Sequence, residues 1–246
     1  MSIPTLRFWI FPDLVQNLGV VYLGEGSQSQ GKVIVKVIYS GMASERYGGM
    51  VHKHMESKDM APKYYNTCNV VTEIPYVDQK PIEFYHVMEY LPPPSNGSAG
   101  WMSLFDIEKQ HRRAALDAKK NITTALHEIT DVLGQAGLVH GDLRPNNLLI
   151  CVKITDKGCS IQHRPDSDPP LPYLKVIDFD WAGEAGKVEY PPHRNLDIEW
   201  PGENGKPISA NDDRVMINSW MSKWALADAD RSVGADEGPL SLHCTM

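Results

Sequence analysis

Two short polar clusters, each set beside apolar runs, constrain this chain more than any other feature. The first lies in "GLVHGDLRPNNLLI", Gly137 to Ile150, where an Asp, an Arg and two Asn fall within six positions. The second ends "LKVIDFDWAG", Leu174 to Gly183, where an apolar run stops at Asp178-Phe179-Asp180, with Asp178 lying 36 residues after Asp142. Asp, Pro and Asn are turn formers, so either cluster alone reads equally well as a turn. Taken in order, with strand signals around both, they point to one site built at strand ends.

The flanking pattern is mixed. "LGVVYL" (18–23) and "KVIVKVIY" (32–39) are rich in β-branched residues and are separated by the polar, glycine-bounded "GEGSQSQG", which predicts a hairpin. A helix is expected within 44–58, weakened by Gly48-Gly49 and ended by Ala61-Pro62. Two further strands are expected at 70–77 and 82–91, followed by the connector "PPPSNGSAG" at 92–100. From 114 to 136, Ile122, Ala125, Leu126, Ile129, Val132 and Leu133 recur at helical spacing, so an amphipathic helix should lead directly into the first cluster. Strands are expected at 148–154 and 173–177, and the Pro-rich stretch 153–172 reads as a dispensable surface loop. A last helix is expected at 212–226, with 227–246 as a loose tail.

These motifs resemble the protein-kinase-like superfamily. "HGDLRPNN" matches its catalytic loop, and "DFD" stands where the family places its metal-binding Asp-Phe-Gly. The Asp at the third position and the "HGD" form are similar to the aminoglycoside-phosphotransferase branch and to crinkler-type and fungal kinase-like proteins whose motif continues "IDFDWAG". The resemblance implies an α+β, two-lobed fold, with a small antiparallel-sheet lobe at about 1–92 and a reduced, mainly helical lobe at about 100–226. It also implies ATP and Mg²⁺ as cofactors. Asp142 would accept the proton of an acceptor hydroxyl, Arg144 would touch the transferred phosphate, and Asn147 and Asp178 would hold the metal, because a hard cation prefers carboxylate and amide oxygens. "VIVK" would supply Lys36 to the phosphates and Ile34 to the adenine ceiling. "HVMEYL" would form the hinge, with Met88 as gatekeeper and backbone groups of Glu89 and Leu91 on the adenine edge.

The chain departs from the family pattern in three places. Gly26 lies only ten positions before Lys36, too close for a phosphate loop, so Gly19 and Val21 are taken as the end of that motif, with Leu14 and Gln16 where glycines are expected. The helix carboxylate that should pair with Lys36 is either Glu45 or Glu56, with Glu56 favoured, because the corresponding place two residues before His52 is Met50. Gly141 replaces an Arg that meets an activation-loop phosphate in many regulated protein kinases, so that switch is not expected. Asp212 or Asp213 is the candidate for a buried Asp bracing the catalytic loop.

The expected activity is transfer of the ATP γ-phosphate to a hydroxyl, with protein Ser or Thr as the leading acceptor. A small-molecule kinase and a pseudokinase acting as a nucleotide-binding interaction module are the alternatives. A net charge of −7 argues against nucleic acid as a partner. No apolar run reaches membrane-spanning length, and the four cysteines show no CxxC spacing, so a soluble, intracellular and cytoplasmic protein is expected.

Overall fold

The computed structural model describes residues 9–10, 19–25, 32–39, 47–71 and 82–232. Within them the protein is a mixed α+β structure with small antiparallel sheets and five helices. The first sheet contains β1 (Trp9–Ile10), β2 (Gly19–Glu25), β3 (Lys32–Tyr39), β4 (Tyr64–Val71) and β5 (Ile82–Glu89), in the order β1-β2-β3-β5-β4. Strands β2 and β3 pair antiparallel as the β-branched runs predict, with Val21 opposite Lys36 and Gly19 opposite Ile38. Strand β5 flanks β3 on its other side and places Met88 opposite Ile34. Strand β4 begins earlier than expected, at Tyr64, and overlaps the predicted 70–77 strand only at its end; residues 72–77 lie outside the described residues.

Helix α1 (Gly49–Ser57) turns Val51, His52 and Met55 inward. Its start lies tight against the second acidic cluster. The Gly48 N–H donates to the Phe179 carbonyl at 2.8 Å, and a Cβ on Gly48 would sit 2.6 Å from that of Ala182. Only a residue without a side chain permits that approach.

Beyond Glu89 the single long helix expected at 114–136 is instead two, α3 (Arg112–Asp117) and α4 (Lys119–Gln135), and a further helix that was not expected, α2 (Leu104–Gln110), precedes them. The chain breaks at His111 and bends at Ala118, where helical bonds from Ala118 to Ala114 and from Ile122 to Ala118 continue across the bend. Helix α2 has a readable start signal: Ser103 accepts from the Asp106 N–H at 3.0 Å and donates to its carboxylate, a reciprocal cap. The periodic face of α4 is buried as its spacing predicts, with Ile122, Leu126, Ile129 and Leu133 each at most 1% exposed.

A second sheet covers that core. Its strands are β6 (Ala99–Ser103), β8 (Leu148–Thr155), β9 (Gly158–Ile161) and β10 (Leu174–Val176), while β7 (Leu138–Val139) pairs with β11 (Gly183–Glu184). The 153–172 stretch is therefore not a plain surface loop: β8 runs on to Thr155, turns and returns as β9, Ile161 joins the core, and Arg164 reaches Glu128 on α4 at 2.5 Å. Its polar, Pro-rich composition hid a short hairpin whose one inward residue is enough to dock it. Helix α5 (Asp212–Ser232) lies against α4 and continues past the expected end at 226 into the segment taken as tail; residues 233–246 lie outside the described residues. Among the described residues no helix is long and apolar enough to cross a membrane.

Candidate active site

Strand β7 delivers the chain into 140–144, and a 3-10 turn at Pro145–Asn147 passes it on to β8. This loop is held from behind by α5. Asp213, 3% exposed, accepts the His140 N–H at 2.7 Å and the Gly141 N–H at 2.8 Å, one on each carboxylate oxygen, and the Trp220 indole donates to the Leu143 carbonyl at 3.0 Å. Asp212 faces the other way and caps the segment before the helix by accepting from the Ser209 N–H and the Tyr190 hydroxyl. Burial pushes the Asp213 carboxyl up to about 6 against the pull of its two N–H donors.

Gly141 is required by backbone geometry. It has φ +81°, and a Cβ there would meet Ile208 Cδ1 at 2.7 Å and Trp181 Cβ at 3.2 Å. Gly141→Ala is expected to lower stability by about 1–3 kcal/mol, from the left-handed backbone and the displaced Ile208, and Gly141→Arg by more. Urea unfolding of the two variants measures it.

Within the loop, Asp142 is 5% exposed. Its carboxylate accepts from Nε and Nη2 of Arg144, the latter at 2.8 Å, and from the Asn147 amide nitrogen at 2.9 Å. Burial raises its carboxyl to about 6, partly opposed by Arg144. Arg144, expected to point at a transferred phosphate, is instead clamped on Asp142, with its guanidinium 5.3 Å over the Trp200 ring. The Asn147 nitrogen also donates to the Asp142 carbonyl at 3.0 Å. With that nitrogen engaged twice, the amide oxygen is its ligand-capable atom.

The second cluster stands at the end of β10, where the Ile177 N–H bonds the Asn147 carbonyl at 3.0 Å. Asp178 has φ +66°, a conformation that a non-glycine residue holds at a cost of about 1 kcal/mol or more and that concentrates at functional sites. Lys36, 8% exposed on β3, reaches it: Nζ donates to Asp178 Oδ1 at 2.5 Å and lies 2.6 Å from Asp180 Oδ1. The second contact is an ion pair outside hydrogen-bonding geometry, and Asp180 Oδ1 has no hydrogen-bond partner among the described residues. Burial works against the charge on Lys36, but the two carboxylates outweigh it and its pKa rises. Burial also works against the Asp178 charge, and Lys36 outweighs it, holding that carboxyl below the usual range. Asp180, raised to about 6 by burial and by Asp178 beside it, is the group the sequence left without a role.

Glu56 does not reach Lys36. Its carboxylate accepts the Tyr64 N–H at 3.1 Å, tying α1 to β4, and Glu45 lies outside the described residues, as do Leu14 and Gln16. At the far end of β5 the Glu89 N–H is engaged by the Lys63 carbonyl at 2.8 Å, Met88 is buried, and Leu91 lies just past the strand, half-buried.

Phe179 locks the arrangement from the inside. Its ring stacks on His52 of α1 at 4.5 Å and meets His140 edge-on at 5.1 Å. The two imidazoles have defined tautomers, since each Nε2 faces a carbonyl, Pro62 at 2.8 Å and Ile177 at 3.1 Å, and must donate to it. Each Nδ1 therefore accepts, from the Tyr47 hydroxyl at 2.6 Å and the Asp142 N–H at 3.2 Å. Burial depresses both from 6.5 to about 4. As pH falls from 6.5 toward 4 the unfolded chain takes up these protons before the native one, so stability is lost across that window. Asp142, Asp180 and Asp213, raised to about 6, act in the opposite sense. The stability difference between wild type and His52→Phe, in which those groups cancel, should move in favour of the variant as pH is lowered from 6.5 to 4. Paired denaturation curves at several pH values test this.

No protein-family model matches the chain, and no curated protein matches it.

Proposed function

We propose that this chain is an ATP-dependent phosphotransferase with the two-lobed architecture of the protein-kinase-like superfamily, acting on a hydroxyl of a protein Ser or Thr. One observation carries the proposal: Lys36, from the first sheet, meets Asp178 at the end of β10, beside a loop in which Asn147 is bonded to a buried Asp142. A cationic residue for phosphates, oxygen ligands for a hard cation and a carboxylate for a hydroxyl proton are the parts that phosphoryl transfer needs.

The donor set suits Mg²⁺, since Asp178 and Asn147 offer only carboxylate and amide oxygen. Among the described residues no group of three or more His, Cys, Asp or Glu is arranged to hold a metal ion, so further ligands would come from phosphate oxygens and water. When bound, the cation neutralises charge on the phosphates. Lys36 binds and orients the phosphates. The acceptor oxygen takes the γ-phosphoryl group, its bond to ADP breaks, and the hydroxyl proton passes to Asp142, whose raised pKa of about 6 suits it to accept and release a proton near neutral pH. Arg144 holds that carboxylate in place. Beside the loop a groove of about 270 Å³, lined by Arg144, Pro145, Asn146, Ile198, Glu199 and Trp220, offers room for an acceptor segment.

The Arg144 clamp supports a second reading, a nucleotide-binding interaction module, because it engages both oxygens of the would-be base. Transfer from radiolabelled ATP, with a generic protein mixture and a small-molecule hydroxyl panel as acceptors, separates them. Label on protein is expected. Label on small molecules alone would move the acceptor class, and nucleotide binding without transfer would favour the module.

A further inference from the structure

We propose that Asp180 is the positioning residue for Lys36, keeping the ammonium in place once Asp178 is drawn to a cation. This inference rests on the phosphotransferase reading. Its starting point is an excess: one buried lysine faces two carboxylates, Asp178 at 2.5 Å and Asp180 at 2.6 Å. Helix α1 turns Val51, His52 and Met55 inward, and its Glu56 is bonded to the Tyr64 N–H, so among the described residues the carboxylates on Lys36 are those of the 178–180 segment.

The two carboxylates are not equivalent. Asp178 has the hydrogen bond and the more open side chain, 41% exposed against 15% for Asp180. Asp178 is the one that can turn toward a cation. If it were the only partner, its departure would leave an ammonium unpaired in a pocket where its side chain is 10% exposed, and an uncompensated buried charge is strongly unfavourable. Asp180 Oδ1 is already in ion-pair range and has its hydrogen-bonding capacity unused, so Lys36 can pass to it by a small rotation. Phe179 fixes the spacing of the pair. With its ring held between His52 and His140, the backbone between the two carboxylates is fixed, and Asp178 turns toward a cation by side-chain rotation while Asp180 stays in place.

The test is nucleotide affinity with and without metal. Wild type, Asp180→Asn and Asp180→Glu are titrated with adenylyl imidodiphosphate in excess Mg²⁺ and in chelator, and thermal unfolding of each variant is recorded. Asp180→Asn should lose roughly tenfold in affinity with Mg²⁺ but less than about threefold in chelator, where Asp178 still holds Lys36, and Asp180→Glu should stay near wild type in both. A merely structural role would weaken both conditions alike. Equal losses, or affinity unchanged with Mg²⁺, overturns the proposal and leaves the phosphotransferase reading standing. Should Asp180→Asn not fold, Asp180→Ser, titrated in the same way, decides: affinity that falls chiefly with Mg²⁺ supports the anchor, and an equal fall in both conditions, or none, overturns it. Wild type that binds no nucleotide in either condition sinks both readings. Metal-specific loss in a protein that transfers no phosphate supports Asp180 while removing the enzyme.

Discussion

Asp142→Asn is expected to bind Mg-ATP within a few-fold of wild type and to lose phosphotransfer by about 10²–10⁴, the range associated with removing a general base. The reason lies in where its carboxylate is bonded. Asp142 is held by Arg144 and Asn147 inside its own loop, whereas Lys36 is held by Asp178 and Asp180. An amide at 142 keeps the shape of the loop and leaves the lysine untouched. Asp178→Asn should fail differently, losing affinity chiefly in the presence of Mg²⁺ together with turnover, since it removes a charged oxygen ligand and the hydrogen-bonded partner of Lys36. Initial rates paired with titrations in Mg²⁺ and in chelator read both. Affinity that falls alike for the two variants would mean that they do not occupy separate roles.

The largest effect on stability is expected at Asp213. Replacement by Ala leaves the His140 and Gly141 N–H groups without acceptors in a buried place, at about 1–3 kcal/mol for each orphaned donor. Asp213→Ala should therefore lose about 2–6 kcal/mol in urea unfolding, a large share of the 5–15 kcal/mol that holds a typical domain together. Asp213→Asn retains one acceptor oxygen and should lose less. If Ala and Asn variants unfold at the wild-type midpoint, the loop is held by something other than this carboxylate.

The choice between Asp212 and Asp213 was open on composition but is settled by helix phase. Asp213 shares its face with Ile217, Met221 and Trp224, all buried and spaced by three or four, and Asp212 falls off that stripe. Asp142, Arg144 and Asn147 in the first motif and Asp178 in the second were legible because each motif is a short polar cluster beside an apolar run. The Ser103–Asp106 cap was equally local and marked a helix that apolar spacing alone passed over. What the sequence could not convey was pairing at a distance. Glu56 has the right charge on the expected helix, yet its phase sends it to Tyr64, and Lys36 finds Asp180 instead. The 153–172 hairpin escaped notice for a related reason: a strand with one inward residue has too little alternation to register.

Lys36 and Asp178 are 142 residues apart in the chain. Closing a flexible loop of that length costs about 4 kcal/mol of chain entropy before any contact within it forms, so this ion pair must be assembled by the folding of nearly everything between its ends. It is then a late event with no local nucleus. At a synthesis rate of roughly 5–20 residues per second, a newly emerged Lys36 waits on the order of ten seconds for its partner carboxylates to follow it. For that interval β3 presents Lys36, with Lys32 at its start, among β-branched residues, and charge there discourages edge-to-edge association. The residue proposed to hold phosphate in the finished protein thus also guards the strand that carries it while the rest of the chain is being made.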